Sequence, residues 1–259
     1  IASPFSSSDA VKAFDTYFAT RYGYAVELYG IHITAKTDTI SNLIAYGATV
    51  NSAYTTVVPF PQGTSTDDDI VKAAAVAAVV APALASDPSQ PLQGMALDVD
   101  ASGSPFTIPD RESLFSNGLS MTREDSAGDV YLERARTTYQ YAADGESDNT
   151  YQDTETLPSV ALVAETFRTG VNAKYFTTRM KLASSSTSTI IAGMNIATDS
   201  AIKATLVAIY QTLEGQGIVV DSDTFAKSVQ VTILTGGRVQ VYAPVQLIDQ
   251  LRQIVININ

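Results

Sequence analysis

The order of local patterns in the first third of the chain is its strongest constraint on fold. Gly30–Lys36 alternates as a strand does, and Asp38 then caps a short helix carrying Ile40, Leu43 and Ile44. Tyr54–Val58 is a second β-rich run, closed by Pro59 and Pro61. Thr66 with Asp67, Asp68 and Asp69 opens a helix rich in Ala and Val, its acids favourably placed on the N-terminal dipole. Before these, Ser7 or Ser8 caps a helix running to about Tyr22, with Val11, Phe14 and Phe18 on one face and Gly23 as its stop. Ile1–Ala2 has the look of a strand already in progress. Such a β-α-β-α order implies a parallel sheet covered by helices.

The pattern then changes. Asp87–Pro109 is a long connection rich in Pro, Ser, Gly and Asp, and Ile108–Asn117 suggests a short helix. Leu119–Glu124 and Asp129–Tyr139 form an expected antiparallel pair around Asp125–Gly128. The polar segment Ala142–Asp153 is the natural boundary, giving an α/β domain over 1–145 and an α+β domain over 146–259. In the second, a helical region over Thr154–Leu182 leads into the Ser/Thr-rich loop Ala183–Thr189. A second helix over Asp199–Glu214 stops at Gly215. Val229, Val231 and Ile233 alternate with polar neighbours, Gly236-Gly237 turns the chain, and Val239–Tyr242 returns. Ile254, Val255, Ile256, Asn257 and Ile258 predict one last strand.

Composition narrows the chemistry. None of the 259 residues is cysteine, which excludes disulfides and thiolate metal sites, and one histidine, His32, leaves no basis for imidazole zinc sites. No metal site or cofactor is expected. Residues 1–153 carry 20 acidic and 8 basic side chains, net −12, while residues 154–259 are at +1. An acidic front half argues against nucleic acid as a partner. The longest apolar stretch, Ala73–Leu84, is short for a bilayer and contains Pro82, so no direct membrane insertion is expected. Ile1–Ser8 has no signal-peptide pattern and no initiator Met.

Asp15, His32 and Ser120 follow the Asp…His…Ser order of subtilisins, and Gly118-Leu119-Ser120-Met121 resembles the run around that nucleophile. Yet Ser120 falls in an expected strand rather than at a helix start, and His32 in β alternation, so no catalytic residue is assigned. Asp67–Asp69 and Asp144–Asp153 lack calcium-loop spacing. Lys174, Arg179 and Lys181, with Arg168 before them, group towards the end of the expected long helix, where bases complement the dipole. A terminal strand over residues 254–258, with neither charge nor proline, suits pairing with another chain's sheet.

Several of these segments carry a resemblance. "ERARTTYQYAADGESDNTYQD" over Glu133–Asp153, then "TETL" and later "KYFTTRMKLA", resemble the tail sheath protein of Mu-like contractile-tail bacteriophages. Lys174, Tyr175, Arg179, Lys181 and Leu182 fit the family's motif, although its proline is replaced and the spacing is longer. "AAAVAAVVAPALASDPSQPLQ", "YGIHITAKTDTISNLIAYGATVN" and "AIKATLVAIYQTLEGQGIVVDSDTF" are similar to further family segments, in order. The resemblance implies a partial subtilisin-like parallel-sheet domain followed by a C-terminal α+β sheath domain, in a chain lacking the family's N-terminal region. It implies a non-enzymatic subunit of a six-fold helical homopolymer around a tail tube protein, ending at baseplate and tail terminator proteins, that contracts to drive the tube through the host envelope. The expected location is the virion tail, assembled in the bacterial host cytoplasm. Arg168, Lys174, Arg179 and Lys181 are then candidates for contact with the tube or a neighbour, and Ile254–Ile258 for an inter-subunit strand. A subtilisin-fold hydrolase and another extracellular assembly or adhesion protein stay open as other readings.

Overall fold

Ser7 leaves an extended stretch and its hydroxyl accepts the Ala10 N–H, starting helix α1 (Ser8–Tyr22), which ends before Gly23. Strand β1 (His32–Asp38) pairs in parallel with β2 (Thr55–Pro61), with His32 opposite Thr55 and Asp38 opposite Pro61. Between them lies α2 (Ile40–Gly47), whose N-cap is Thr39 and not Asp38. Asp38 instead accepts the Thr39 N–H and the Asn42 amide through Oδ1. On the other edge of β1, Ile1–Ser3 runs parallel, with the Ile33 N–H donating to Ile1 and the Ser3 N–H to Ile33.

Of the two prolines expected to close β2, Pro59 lies inside the strand and Pro61 is its last residue. The carbonyls of Thr55, Val57 and Pro59 accept from Thr138, Ser120 and Thr122, on the side away from β1. Residues of that parity give no N–H to the β1 ladder, so both prolines fit without losing a bond.

The computed structural model describes residues 1–23, 26–186 and 194–257, in two compact units: Ile1–Pro158 with Gln250–Asn259, and Ser159–Asp249. In the first unit, α3 (Asp69–Ser86) buries Ala73, Val76 and Val80 with Ile33, Ala35, Val58 and Phe60. Val57, on the opposite face of β2, packs with Leu43 and Leu114 of α2 and α4 (Ile108–Ser116). Helices thus cover both faces of a short parallel pair. By length and composition α3 could cross a bilayer, contrary to the expectation, although its buried stripe is also that of a core helix. Asp68 caps α3 by position without a side-chain bond.

The connection Asp87–Pro109 contains an unexpected strand, β3 (Met95–Leu97), which joins β4 (Met121–Glu124) and β5 (Val130–Arg134) in an antiparallel sheet ordered β3-β5-β4. The expected strand to Tyr139 stops at Arg134. Beyond it, Ala135 donates to Leu92, Thr137 to Gln152 and Thr138 to Thr55, so the segment links separate parts of the unit.

In the second unit, the expected long helix is broken. Helix α5 (Thr156–Val171), whose first residues precede the unit boundary, passes into a π-helical turn, Asn172–Phe176. There the Thr177 N–H reaches back to Asn172, and Arg179 takes a positive φ of 53°. Lys181–Ala183 then forms β6, parallel to β7 (Ile196–Thr198). Helix α6 (Asp199–Gly215) ends as expected, and α7 (Ser222–Ser228) is an addition. Tyr210 of α6 stacks on Phe225 of α7 at 3.9 Å between ring centres, at the centre of the unit's core. The expected hairpin is β8 (Gln230–Leu234) with β9 (Arg238–Tyr242), turned by Gly236 and Gly237, both at positive φ. Part of the loop expected over Ala183–Thr189, residues 187–189, lies outside the described residues.

Candidate assembly surface

The π-helical turn displaces successive side chains to opposite environments. Tyr175 is buried, its hydroxyl donating to the Ala201 carbonyl at 2.9 Å and lying 2.7 Å from Thr205 Oγ1. Its neighbour Phe176 is 71% exposed. Phe176 helps line a cavity of about 540 Å³ with Met180, Leu182, Val239 and Val241, and with Lys181 and Arg238 as its cations. Among the described residues, β8 and β9 pair only with each other, so the hairpin next to this groove has no further strand at either edge.

The four basic candidates are not one cluster at a helix end. Arg168 sits in the last turn of α5 and is exposed. Lys174 lies in the π turn and donates to Thr205 Oγ1 at 2.8 Å. Arg179 is exposed in the left-handed turn, and Lys181 begins β6. The helix-dipole account therefore applies to Arg168 and Lys174, each in a last helical turn, and not to Arg179 and Lys181.

The terminal run is also corrected: residues 250–257 form no strand, and Ile258 lies outside the described residues. Ile254, Val255 and Ile256 are 70%, 69% and 78% exposed, and Asn257 is exposed beside them. Sequence reasoning missed Arg252, just before this run, which pairs with Glu155 at 3.0 Å and Asp153 at 3.2 Å. It missed the apolar groove too, for which the alternation of Val239 and Val241 was the available signal.

The subtilisin-like order does not assemble a triad. His32 Nε2 lies 2.7 Å from Ser3 Oγ and Nδ1 3.3 Å from Thr55 Oγ1, with the Phe14 ring stacked at 3.8 Å. Burial lowers its pKa to about 4. Ser120 is wholly buried, and its hydroxyl bonds the Arg136 backbone on both sides, at 3.2 Å to O and 3.1 Å from N. Asp15 accepts from Ser52. Nor do the acidic groups form a metal site: among the described residues no three of His, Asp or Glu converge on one. Asp67 accepts the Asp100 N–H and Asp69 the Thr37 hydroxyl.

Residues 146–259, which contain the groove, the basic residues and the terminal run, match the family model of the phage tail sheath C-terminal domain. The chain is thus similar to phage tail sheath proteins, and the likeness to their C-terminal domain runs over residues 146–259. It is 26% identical over 256 residues to the Mu-like prophage FluMu tail sheath protein of Haemophilus influenzae, covering 97% of this chain and 52% of that protein. The chain therefore spans about half the length of this curated relative. Among solved structures it is similar to the sheath tail protein of Desulfitobacterium hafniense, with TM-score 0.61 and 16% identity over 97% of this chain and 53% of that one. It is also similar to the helical sheath of the anti-feeding prophage in its contracted state, with TM-score 0.57 and 10% identity over 97% and 66%. At these identities the likeness concerns the fold, a mixed α/β arrangement shared with sheath proteins.

Proposed function

We propose that the chain is a structural subunit of a contractile tail sheath, polymerising with copies of itself around a tail tube and contracting to drive the tube through a host envelope. The observation that carries this reading is the sheath-domain match over residues 146–259, which ends in an apolar run exposed at Ile254–Ile256. Three consecutive β-branched residues in contact with water are costly for a lone chain and suit burial against another copy. In this reading Ile254, Val255, Ile256, Asn257 and Ile258 add a strand to a neighbour's sheet, and the open edges of the β8–β9 hairpin are the acceptor. Arg168, Lys174, Arg179 and Lys181 face the tube or an adjacent subunit. The six-fold helical order, the tube, baseplate and terminator partners, assembly in the host cytoplasm and the division at 145/146 follow from the same reading. So does a partly subtilisin-like first domain, for which the parallel β1–β2 pair between helices speaks.

A hydrolase is the poorer reading, because His32 and Ser120 spend their hydrogen bonds on other partners. The role is structural. Electron microscopy of the complete gene product tests it. Striated hollow cylinders are expected from the wild type and short or absent ones from Ile254→Asp/Ile256→Asp. Persistent monomers of the wild type at high concentration would count decisively against it.

A further inference from the structure

Arg252, just before the terminal run, is held by bonds to both its side chain and its backbone. Its Nη2 donates to Glu155 Oε1 at 3.0 Å and pairs with Asp153 Oδ1 at 3.2 Å, while its backbone carbonyl accepts from Gln93 Nε2 at 3.4 Å. Asp153 is shared, since Arg134 Nη2 binds the same Oδ1 at 3.0 Å and its guanidinium lies 4.2 Å from the centre of the Phe115 ring. Glu155 is fully buried, and its Oε1 also accepts the Leu92 N–H at 2.6 Å. All of these residues belong to the first unit.

The energetics favour a docked position. Burial raises the pKa of Glu155, and the Arg252 guanidinium acts in the opposite direction by stabilising the charged form. Moving Arg252 away would strand a carboxylate shielded from water, which is the costly way to break such a pair. Because the Glu155 side chain has no exposure and that of Arg252 16%, salt screens this contact less than it screens a surface pair. Two residues later the chain is open to solvent, with Ile254 at 70% exposure. The pair joins positions 97 residues apart, so the tail's root is set by the segment preceding α5 and not by its neighbours in sequence.

We propose that Arg252 is the positioning residue of the C-terminal tail: clamped by Glu155 and Asp153, it fixes the tail's root on the first unit and presents Ile254–Ile256 outward to a second copy of this chain. The clamp stands on the geometry alone, whereas the second copy rests on the sheath reading. Because the chain lacks cysteine, a single nitroxide can be placed by Leu251→Cys, at a side chain 68% exposed. Its mobility in this chain is expected to rise several-fold with Arg252→Ala and to fall back part of the way with Arg252→Lys. The double variant Arg252→Ala/Glu155→Gln removes the stranded charge, so it keeps the fold while leaving the tail loose. Unchanged label mobility in both Ala-bearing variants would overturn the clamp. Mobility that rises while cylinders still form as in the wild type would overturn the presenting role. A wild type that forms no cylinders, with the clamp intact by the label, would count against the sheath reading instead.

Discussion

His32 shows how one buried side chain sets a pH dependence. Its imidazole is enclosed by Ser3, Thr55 and Phe14, and burial lowers its pKa from 6.5 to about 4. A base with a depressed folded pKa takes up its proton more readily when unfolded. Its contribution to stability is therefore whole above pH 6.5 and is lost as pH falls towards 4, to a limit of about 3 kcal/mol. Urea titrations at pH 7.5 and 4.5 are expected to show this loss in the wild type. In His32→Gln, which is less stable at pH 7.5, the loss over the same interval should be much smaller. Ser120 gives a second test at this scale. Ser120→Ala leaves the buried N–H and C=O of Arg136 without their partner, at a cost of about 2 kcal/mol in the same assay. Catalytic Ser would instead predict a variant of unchanged stability that has lost a hydrolytic activity. The three side-chain nitrogens of Arg136 donate to the carbonyls of Thr137, Phe115 and Tyr139, so the Arg-Thr-Thr-Tyr run acts as an internal fastener.

Among the elements, α2 and α4 meet at a point where one hydrogen is all the space allows. A Cβ on Gly47 would lie 2.1 Å from the Asn117 carbonyl oxygen, which is backbone and cannot swing aside. Gly47→Ala should therefore destabilise the first unit by about 2–3 kcal/mol, despite the higher helix propensity of alanine, measured as a lower urea midpoint at unchanged slope. This close approach was not legible in the sequence, because Asn117 lies 70 positions away from Gly47. Elements whose cause is local were legible: α1 from Ser7 and Gly23, α6 from its stop at Gly215, and the β8–β9 hairpin from Gly236-Gly237. Elements decided by distant partners were not. Strand β3 exists because β5 lies beside it, and Pro59 is tolerated because the β1 ladder runs along the other side of β2. The break after α5 had a signal in the run Tyr175-Phe176-Thr177-Thr178, whose aromatic and β-branched side chains are weak helix formers. Its left-handed step at Arg179, a residue type that seldom adopts that conformation, carries no sequence signal. The same break leaves Lys174 in the π turn, Arg179 in the left-handed turn and Lys181 at the start of β6.

For the whole molecule, charge decides how copies approach one another. Each chain carries −11, concentrated in residues 1–153 at −12 while the remainder is at +1. If the bases after α5 met a neighbour's acidic half, the attraction would be local and would involve few charges. The repulsion between two copies at −11 acts at longer range and is the larger effect at low salt. It is screened as the Debye length falls from about 30 Å at 0.01 M salt to about 8 Å at 0.15 M, whereas burial of Ile254–Ile256 against a neighbour is not. Raising ionic strength over that interval should therefore lower the protein concentration at which self-association begins, as followed by light scattering. The effect should be smaller in a variant with Asp67, Asp68 and Asp69 changed to Asn, which starts with less repulsion. A threshold that instead rises with salt would mean that the contacts between copies are chiefly ionic, and would move the weight of the interface from the terminal run to Arg168, Lys174, Arg179 and Lys181.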